Sequence, residues 1–169
     1  MRAGPRYCSR CAAQLAHEPP VVCSACGYAL WVNPRPTGSC IIVDRFPGGA
    51  SFLAIRRAGP PRVGWWDLPG GFCEAWEAPA DAAVREVREE MGLDVRLERF
   101  VGMYIGRYPY QEEIVPVLDC FWVATIESGE IVLDPAEATE HTWLPLGDPP
   151  EMAFATMDRA LDELRGDGR

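Results

Sequence analysis

Lysine is absent from the 169-residue sequence, and all 16 basic residues are arginines. Phosphate binding by a P-loop and Schiff-base chemistry both require a lysine, so both are excluded. The sequence also lacks an apolar run near the ~18 residues of a membrane-spanning helix. Its first residues, MRAGPRYCSRC, lack the apolar core of a signal peptide. These absences predict a cytoplasmic protein that has no membrane partner.

Positive charge is scarce as well. The formal net charge is −9, from 25 acidic and 16 basic residues, whereas a protein that binds a polyanion needs a basic surface. Residues 1–36 are the exception, because they hold four arginines and one glutamate. A nucleic-acid partner is therefore disfavoured for the chain as a whole, and the N-terminal segment is electrostatically distinct.

The cysteines point to a metal site. Cys8, Cys11, Cys23 and Cys26 form two C-x-x-C pairs that are 11 residues apart, and two such pairs can bring four thiolates to one tetrahedral Zn²⁺ ion. With four protein ligands the site has no open position, so its role would be structural. Two alternatives are a redox C-x-x-C motif, which needs one pair and a βαβ setting, and a pair of disulfides, which a protein that is not exported disfavours.

The cysteines also indicate how the chain is divided. A unit as short as residues 1–33 buries too little apolar area to fold without a staple such as zinc, and we predict a second domain over residues 34–169. Mixed strands with two helices favour a layered α+β fold for this domain. We predict strands over 39–44, 52–56, 95–105, 114–125 and 141–144, and a short strand that runs into a glycine turn over 65–71. We also predict helices over 79–91 and 151–165, a linker at 33–38, a hairpin turn at 47–49, and loops at 60–64 and 135–140.

The helix predicted over residues 79–91 carries acidic residues where a helix disfavours them. Glu86, Glu89 and Glu90 stand just before the stop at Gly92, and a carboxylate at the negative end of the helix dipole costs ~0.3–1 kcal/mol. Their spacing of three and four residues makes them like-charged neighbours on one side. A hard divalent cation such as Mg²⁺ would relieve the repulsion. A solvated acidic face, paired with arginines, explains the pattern equally well on its own.

The surrounding residues favour the metal. Gly71, Glu77 and residues 85–93 match every defined position of G-x5-E-x7-R-E-U-x-E-E-x-G-U, where U is aliphatic, and so this sequence resembles the Nudix hydrolase family. The four-cysteine unit ahead of such a domain is similar to the branch that includes NADH, FAD and ADP-ribose pyrophosphatases. Residues 101–110 lack the S-Q-P-W-P-F-P-x-S stretch of NADH pyrophosphatases, so NADH is not singled out.

This resemblance implies a Nudix α/β/α sandwich that uses Mg²⁺ or Mn²⁺. The implied reaction cleaves the diphosphate of a nucleoside diphosphate linked to another moiety, as in ADP-ribose, NADH or FAD, and releases a nucleoside monophosphate. Glu77 and Arg85 would lock the geometry of the motif. The implied metal ligands are the carboxylates of Glu86, Glu89, Glu90 and Glu137 and a carbonyl of Gly70 or Gly71, and the implied catalytic residues are Glu86, Glu89, Glu137 and Arg85.

Substrate contacts are less clearly indicated. Arg56 and Arg57 are candidates to grip a phosphate, or they are solvated arginines at a strand end. Trp66, Tyr104 and Tyr108 are candidates to stack on a base, or they are core aromatics. The expected partner is a nucleotide-derived small molecule, and a homodimer is left open. A house-cleaning nucleoside triphosphate pyrophosphatase and a non-catalytic nucleotide or RNA sensor are the alternative functions.

Overall fold

The computed structural model describes residues 4–46, 49–111 and 113–166. Two short antiparallel strands belong to the N-terminal unit, and seven strands form one larger sheet. The elements are β1 (Val21–Val22), β2 (Ala29–Leu30), β3 (Arg35–Phe46), β4 (Gly49–Arg57), β5 (Trp66–Asp67), β6 (Gly70–Phe72), α1 (Pro79–Met91), β7 (Asp94–Tyr110), β8 (Glu113–Ser128), β9 (Ala138–Pro145) and α2 (Ala155–Gly166).

The large sheet is mixed and is built around β3. Its main strand order is β5-β4-β3-β8-β7, while β6 pairs with β3 and β9 pairs with β4. β3 runs parallel to β8 and antiparallel to β4 and β6. The Gly70–Phe72 segment that opens the Nudix-like motif is therefore held on the central strand.

A helix covers each face of this sheet. Alternate residues of a strand point to opposite faces, and in β3 the buried Cys40 joins the core that includes Val87 of α1. Its neighbour Ile41 instead joins the core that includes Leu161 of α2. This arrangement confirms the predicted α/β/α sandwich.

Helix α1 has the ends that its sequence predicts. Pro79 is the first residue of the helix, where the N–H group that proline lacks would have no acceptor within the helix. Gly92 ends the helix with φ 71°, and its N–H donates to the Arg88 carbonyl. The helix lies so close to β3 that a Cβ at Gly38 would be 1.9 Å from the Pro79 carbonyl oxygen. This close approach places the acidic end of α1 beside β6.

Several predicted boundaries were wrong. Residues 35–38 of the predicted linker are the start of β3, because they pair with β8 and β6. The second helix begins at Ala155 rather than at residue 151, since the Ala153 N–H before it donates to the Trp66 carbonyl. Strand β9 begins at Ala138, inside the predicted loop. The predicted turn at Pro47 and Gly48 lies outside the described residues.

The N-terminal unit has its own small core. Cys8, Val21, Cys23 and Leu30 are buried together there. Strands β1 and β2 pair on either side of the segment that holds Cys23 and Cys26. Within the described part of the chain, we find no helix with the length and apolar character that crossing a membrane requires.

Candidate active site

Arg85 organises the acidic end of helix α1. Its Nε and Nη2 atoms each donate to Glu77 at 2.8 Å, and its Nη1 atom donates to Glu86 and to Glu89, also at 2.8 Å. The Phe72 carbonyl accepts a further hydrogen bond from Nη2 at 3.1 Å. These contacts connect α1 to the loop and to β6, as the resemblance implies for Glu77 and Arg85.

Glu86 and Glu90 turn toward the glycines of β6. The Gly70 N–H donates to Glu90 Oε2 at 2.9 Å. The Glu86 carboxylate packs against Gly71 so closely that a Cβ at Gly71 would lie 2.5 Å from it. A side chain at Gly71 would therefore displace this carboxylate.

Burial raises the pKa of both carboxyl groups. Desolvation is the main cause at Glu90, which is 7% exposed, and the nearby charges of Asp67, Glu86 and Glu137 add to it. Desolvation also raises the pKa of Glu86, with Arg85 opposing it and Glu137 adding to it. Like-charged carboxylates that have lost water fit a hard divalent cation, which takes oxygen ligands and compensates their charge.

Glu137 and Glu89 lie on different sides of this cluster. Glu137 lines the same cavity as Glu86 and Glu90, and its backbone is held because its carbonyl accepts from the Ala58 N–H at 2.9 Å. The Glu89 side chain is 58% exposed and is paired with Arg85. The structure thus brings together three of the four predicted carboxylate ligands, and the role of Glu89 stays a prediction.

A second group of charged residues lies in the same cavity. Arg57 forms an ion pair with Asp67 and donates to the Pro61 carbonyl at 2.7 Å. Burial raises the pKa of Asp67 to about 6, although the Arg57 charge opposes the shift. Arg57 is therefore a partly buried cation within the candidate site rather than a solvated strand end.

The cavity has a volume of about 580 Å³, within the range of ~300–1,000 Å³ that small-molecule sites occupy. It runs from the carboxylates of α1 to the first turn of α2. Tyr108 and Phe154 form an aromatic pair in its wall, with ring centroids 5.4 Å apart. Arg62 and Arg107 also line it, so the cavity offers both cations and aromatic faces beside the carboxylates.

The other predicted substrate residues are occupied elsewhere. The Arg56 guanidinium lies over the Trp66 ring, 4.1 Å from its centroid, and Arg56 pairs with Glu140. Tyr104 lies under Arg159, with 4.5 Å between the guanidinium and the ring centroid. Their predicted role in substrate binding has no contact in the cavity to support it.

Sequence reasoning missed several residues of the cavity wall. They include Arg62, Asp67, Arg107, Asp119 and Phe154. Asp119 accepts hydrogen bonds from the hydroxyls of Thr37 at 2.8 Å and Thr156 at 2.7 Å. A signal was present for the two aspartates, because each interrupts an apolar strand. Phe154 carries no such signal.

The four-cysteine cluster has the spacing of a metal site. The Sγ atoms of Cys8 and Cys26 are 3.7 Å apart, as are those of Cys11 and Cys23, and all four lie within 4.8 Å of one another. Metal–sulfur bonds of about 2.3 Å in a tetrahedron separate the sulfurs by about 3.8 Å. Disulfides would need about 2.05 Å. The donor set and its geometry therefore fit one tetrahedral ion.

The layered fold, the Arg85 network and the carboxylate-lined cavity together define a Nudix domain. The family model described as NUDIX domain matches residues 34–164. The chain belongs to the Nudix hydrolase family.

Curated relatives resemble both parts of the chain. An NAD-capped RNA hydrolase NudC of Pseudomonas putida (strain F1) is 30% identical over 165 residues. The alignment covers 94% of this chain and 55% of the relative's length. An ADP-ribose pyrophosphatase of Methanocaldococcus jannaschii is 31% identical over 127 residues. That alignment covers 75% of this chain and 71% of the relative's length. The chain thus spans about half the length of the NudC relative.

A solved structure shows the same fold. A NUDIX hydrolase from Nitrosomonas europaea superposes with a TM-score of 0.70 at 20% identity, covering 96% of this chain and 93% of the other.

Proposed function

We propose that this protein is a pyrophosphohydrolase that uses Mg²⁺ or Mn²⁺. Its substrate would be a nucleoside diphosphate linked to another moiety, of the ADP-ribose, NADH or FAD type, and its product a nucleoside monophosphate. The observation that carries the proposal is that one cavity is lined both by Glu86, Glu90 and Glu137 and by an aromatic pair with arginines. Such a cavity fits a molecule that has a diphosphate beside a base.

Glu86 and Glu90 would hold the divalent cation through carboxylate oxygens, with a carbonyl of Gly70 or Gly71 as a further ligand, and Glu137 would be either another ligand or the general base. When bound, such a cation neutralises diphosphate charge and lowers the pKa of a nucleophilic water. Glu137 is an exposed carboxylate in the cavity wall, so it can accept a proton from water that enters from solvent. Arg85 keeps Glu86 and Glu77 in place and acts as a positioning residue.

The arginines and aromatics would bind the rest of the substrate. Arg62 and Arg107 offer guanidinium groups that suit phosphate oxygens, and Tyr108 and Phe154 offer faces for a base. The names of the two curated relatives support this class of substrate, since one acts on ADP-ribose and the other on NAD-capped RNA. A homodimer and a cytoplasmic location stay predictions.

We also propose that the four-cysteine cluster binds a structural Zn²⁺ ion in a zinc-ribbon unit over residues 1–33, and that residues 34–169 form the Nudix domain. The closed set of four thiol ligands supports a structural role. The small core around Cys8 and Cys23 supports it too, because so few buried residues need a staple.

The purified protein should be incubated with ADP-ribose, NADH, FAD and nucleoside triphosphates, with Mg²⁺ or with chelator, and the products identified. We expect AMP from the first three substrates, and no turnover with chelator. Monophosphate plus pyrophosphate from triphosphates alone would contradict the proposed substrate class. No turnover of any of these compounds would contradict the enzymatic function.

The variant Glu90→Gln tests the carboxylate cluster. We expect kcat to fall at least about 100-fold, beyond the 10–100-fold typical of groups that only orient a metal ligand. The matched control is Glu130→Gln, because Glu130 is an exposed glutamate, and we expect its kcat to be unchanged. A fully active Glu90→Gln enzyme would contradict the assignment of this residue.

A further inference from the structure

Asp67 contains a buried acceptor atom that has no partner. The residue is 4% exposed and lines the cavity. One carboxylate oxygen, Oδ2, accepts from Arg57, whereas Oδ1 has no hydrogen-bond partner among the described residues. An unsatisfied buried polar group costs ~1–3 kcal/mol, so this atom indicates a partner that comes from outside the chain.

The other aspartate of the cavity shows the opposite situation. Both oxygens of Asp119 accept hydrogen bonds, from the hydroxyls of Thr37 and Thr156. Asp119 therefore has its hydrogen bonds within the protein and connects β3, β8 and α2. Of these two cavity aspartates, only Asp67 therefore has a carboxylate oxygen without a hydrogen-bond partner among the described residues.

The surroundings of Asp67 suit the edge of a purine. Arg57 supplies donors directly beside the acceptors of Asp67, and it lies 5.3 Å from the centroid of the Phe154 ring. Tyr108 packs against the same Phe154 ring, with 5.4 Å between the ring centroids. A purine edge that bears an amino group presents an N–H donor beside a nitrogen or oxygen acceptor, which complements an aspartate beside an arginine.

We propose that Asp67 is a specificity-determining residue, which selects purine bases with an exocyclic amino group by accepting a hydrogen bond from that group at Oδ1. The inference rests on the proposed function only in placing a nucleotide in this cavity. Arg57 keeps the Asp67 carboxylate in position and faces the acceptor atom of the same base edge.

The test is the affinity for four mononucleotides, measured by calorimetry on the full chain. AMP is compared with purine riboside 5′-monophosphate, and GMP with IMP, because the members of each pair differ by one exocyclic amino group. We expect at least one pair to differ about tenfold or more, the amount that a hydrogen bond to a charged acceptor contributes. The pair whose two affinities differ identifies the amino group that Asp67 binds.

Two variants distinguish base selection from a merely structural role. In Asp67→Asn we expect the affinity ratio of that pair to fall several-fold, because a neutral amide oxygen accepts a weaker hydrogen bond from the amino group than a charged carboxylate does. In the matched variant Asp119→Asn we expect both members of the pair to bind more weakly and their ratio to be kept. A melting curve establishes that each variant is folded. The comparison of nucleotide affinities on the wild-type protein does not depend on either variant.

The proposal is overturned if both pairs bind wild-type protein within twofold, if the ratio survives Asp67→Asn, or if none of the four nucleotides binds. None of these measurements requires turnover. Amino-group preference without hydrolysis would refute the proposed function alone, and hydrolysis without this preference would refute the role of Asp67 alone.

Discussion

Arg85 determines the protonation behaviour of its neighbour Glu77. Two hydrogen bonds from one guanidinium, at 2.8 Å each, join the two side chains. This pairing, with a further hydrogen bond from the Glu74 N–H, lowers the pKa of Glu77 to about 2. The carboxylate is therefore more acidic in the folded protein than in the unfolded chain, so its ionisation contributes to stability.

We expect Glu77→Gln to lower the melting temperature at pH 7. The contribution of an acid with a depressed folded pKa is present above its unfolded pKa, 4.5, and is lost as the pH falls toward 2. The difference in melting temperature between wild type and variant should therefore shrink from pH 5 to pH 3. Glu74→Gln, at an exposed position, is the control and should show little difference at any pH. A difference in melting temperature between wild type and Glu77→Gln that stays constant with pH would contradict this account.

The residues of the Nudix motif were predicted individually, while the residues of the opposite cavity wall were not. Arg85, Glu86 and Glu90 follow a local pattern, and their contacts lie within one helix, the loop before it and the adjacent strand β6. Asp67 matters because of an unpartnered oxygen, and that property depends on which distant groups surround it. No spacing in the sequence describes such a surrounding.

Among the elements, the contact between α1 and β3 determines where the carboxylates stand. Gly38 of β3 meets the first turn of α1, where a Cβ would be 1.9 Å from the Pro79 carbonyl oxygen and 2.7 Å from the Ala83 nitrogen. Both of these are backbone atoms, so they move only if the helix moves. A shift of α1 would also move Glu86 and Glu90 away from β6.

We expect Gly38→Ala to lower the free energy of unfolding by about 1–3 kcal/mol or more, as overpacking does, and also to lower activity. Urea denaturation and the hydrolysis assay measure the two effects. Gly59→Ala is the matched control, since a Cβ at Gly59 meets nothing within 4 Å, and it should be close to neutral. Equal stability of the two variants would contradict the close contact.

The helix α1 was predicted with its correct ends because Pro79 and Gly92 are local signals. Helix α2 was predicted too early, because its amphipathic pattern continues into residues 151–154. Those residues are instead held by β5, through the hydrogen bond from Ala153 to Trp66. Tertiary pairing overrode the local pattern there, and it did so again at the start of β3.

At the scale of the whole molecule, the four-cysteine cluster stabilises a unit with few buried residues. Its core includes Cys8 and Cys23 themselves, so its stability would depend on the ion. The other three cysteines lie in the Nudix domain, at Cys40, Cys73 and Cys120. The chain therefore offers a comparison between cysteines of the cluster and cysteines outside it.

We expect about one zinc per chain by elemental mass spectrometry, and its loss in Cys8→Ser, because three thiolates leave the tetrahedral site incomplete. Cys73→Ser is the control and should keep its zinc. Limited proteolysis should then cut Cys8→Ser within residues 1–33 while the rest of the chain stays resistant. Full zinc content in Cys8→Ser, or its loss in Cys73→Ser, would contradict the assignment.

The sequence by itself determined the motif of residues 71–93, helix α1 and the two cysteine pairs, because each depends on residues that are near one another along the chain. Only the tertiary structure decided the cavity. Asp67 of β5, Tyr108 of β7, Asp119 of β8 and Phe154 before α2 meet there because strand pairing and helix packing bring distant segments together. Contacts of that range depend on the whole fold, and no local pattern encodes them.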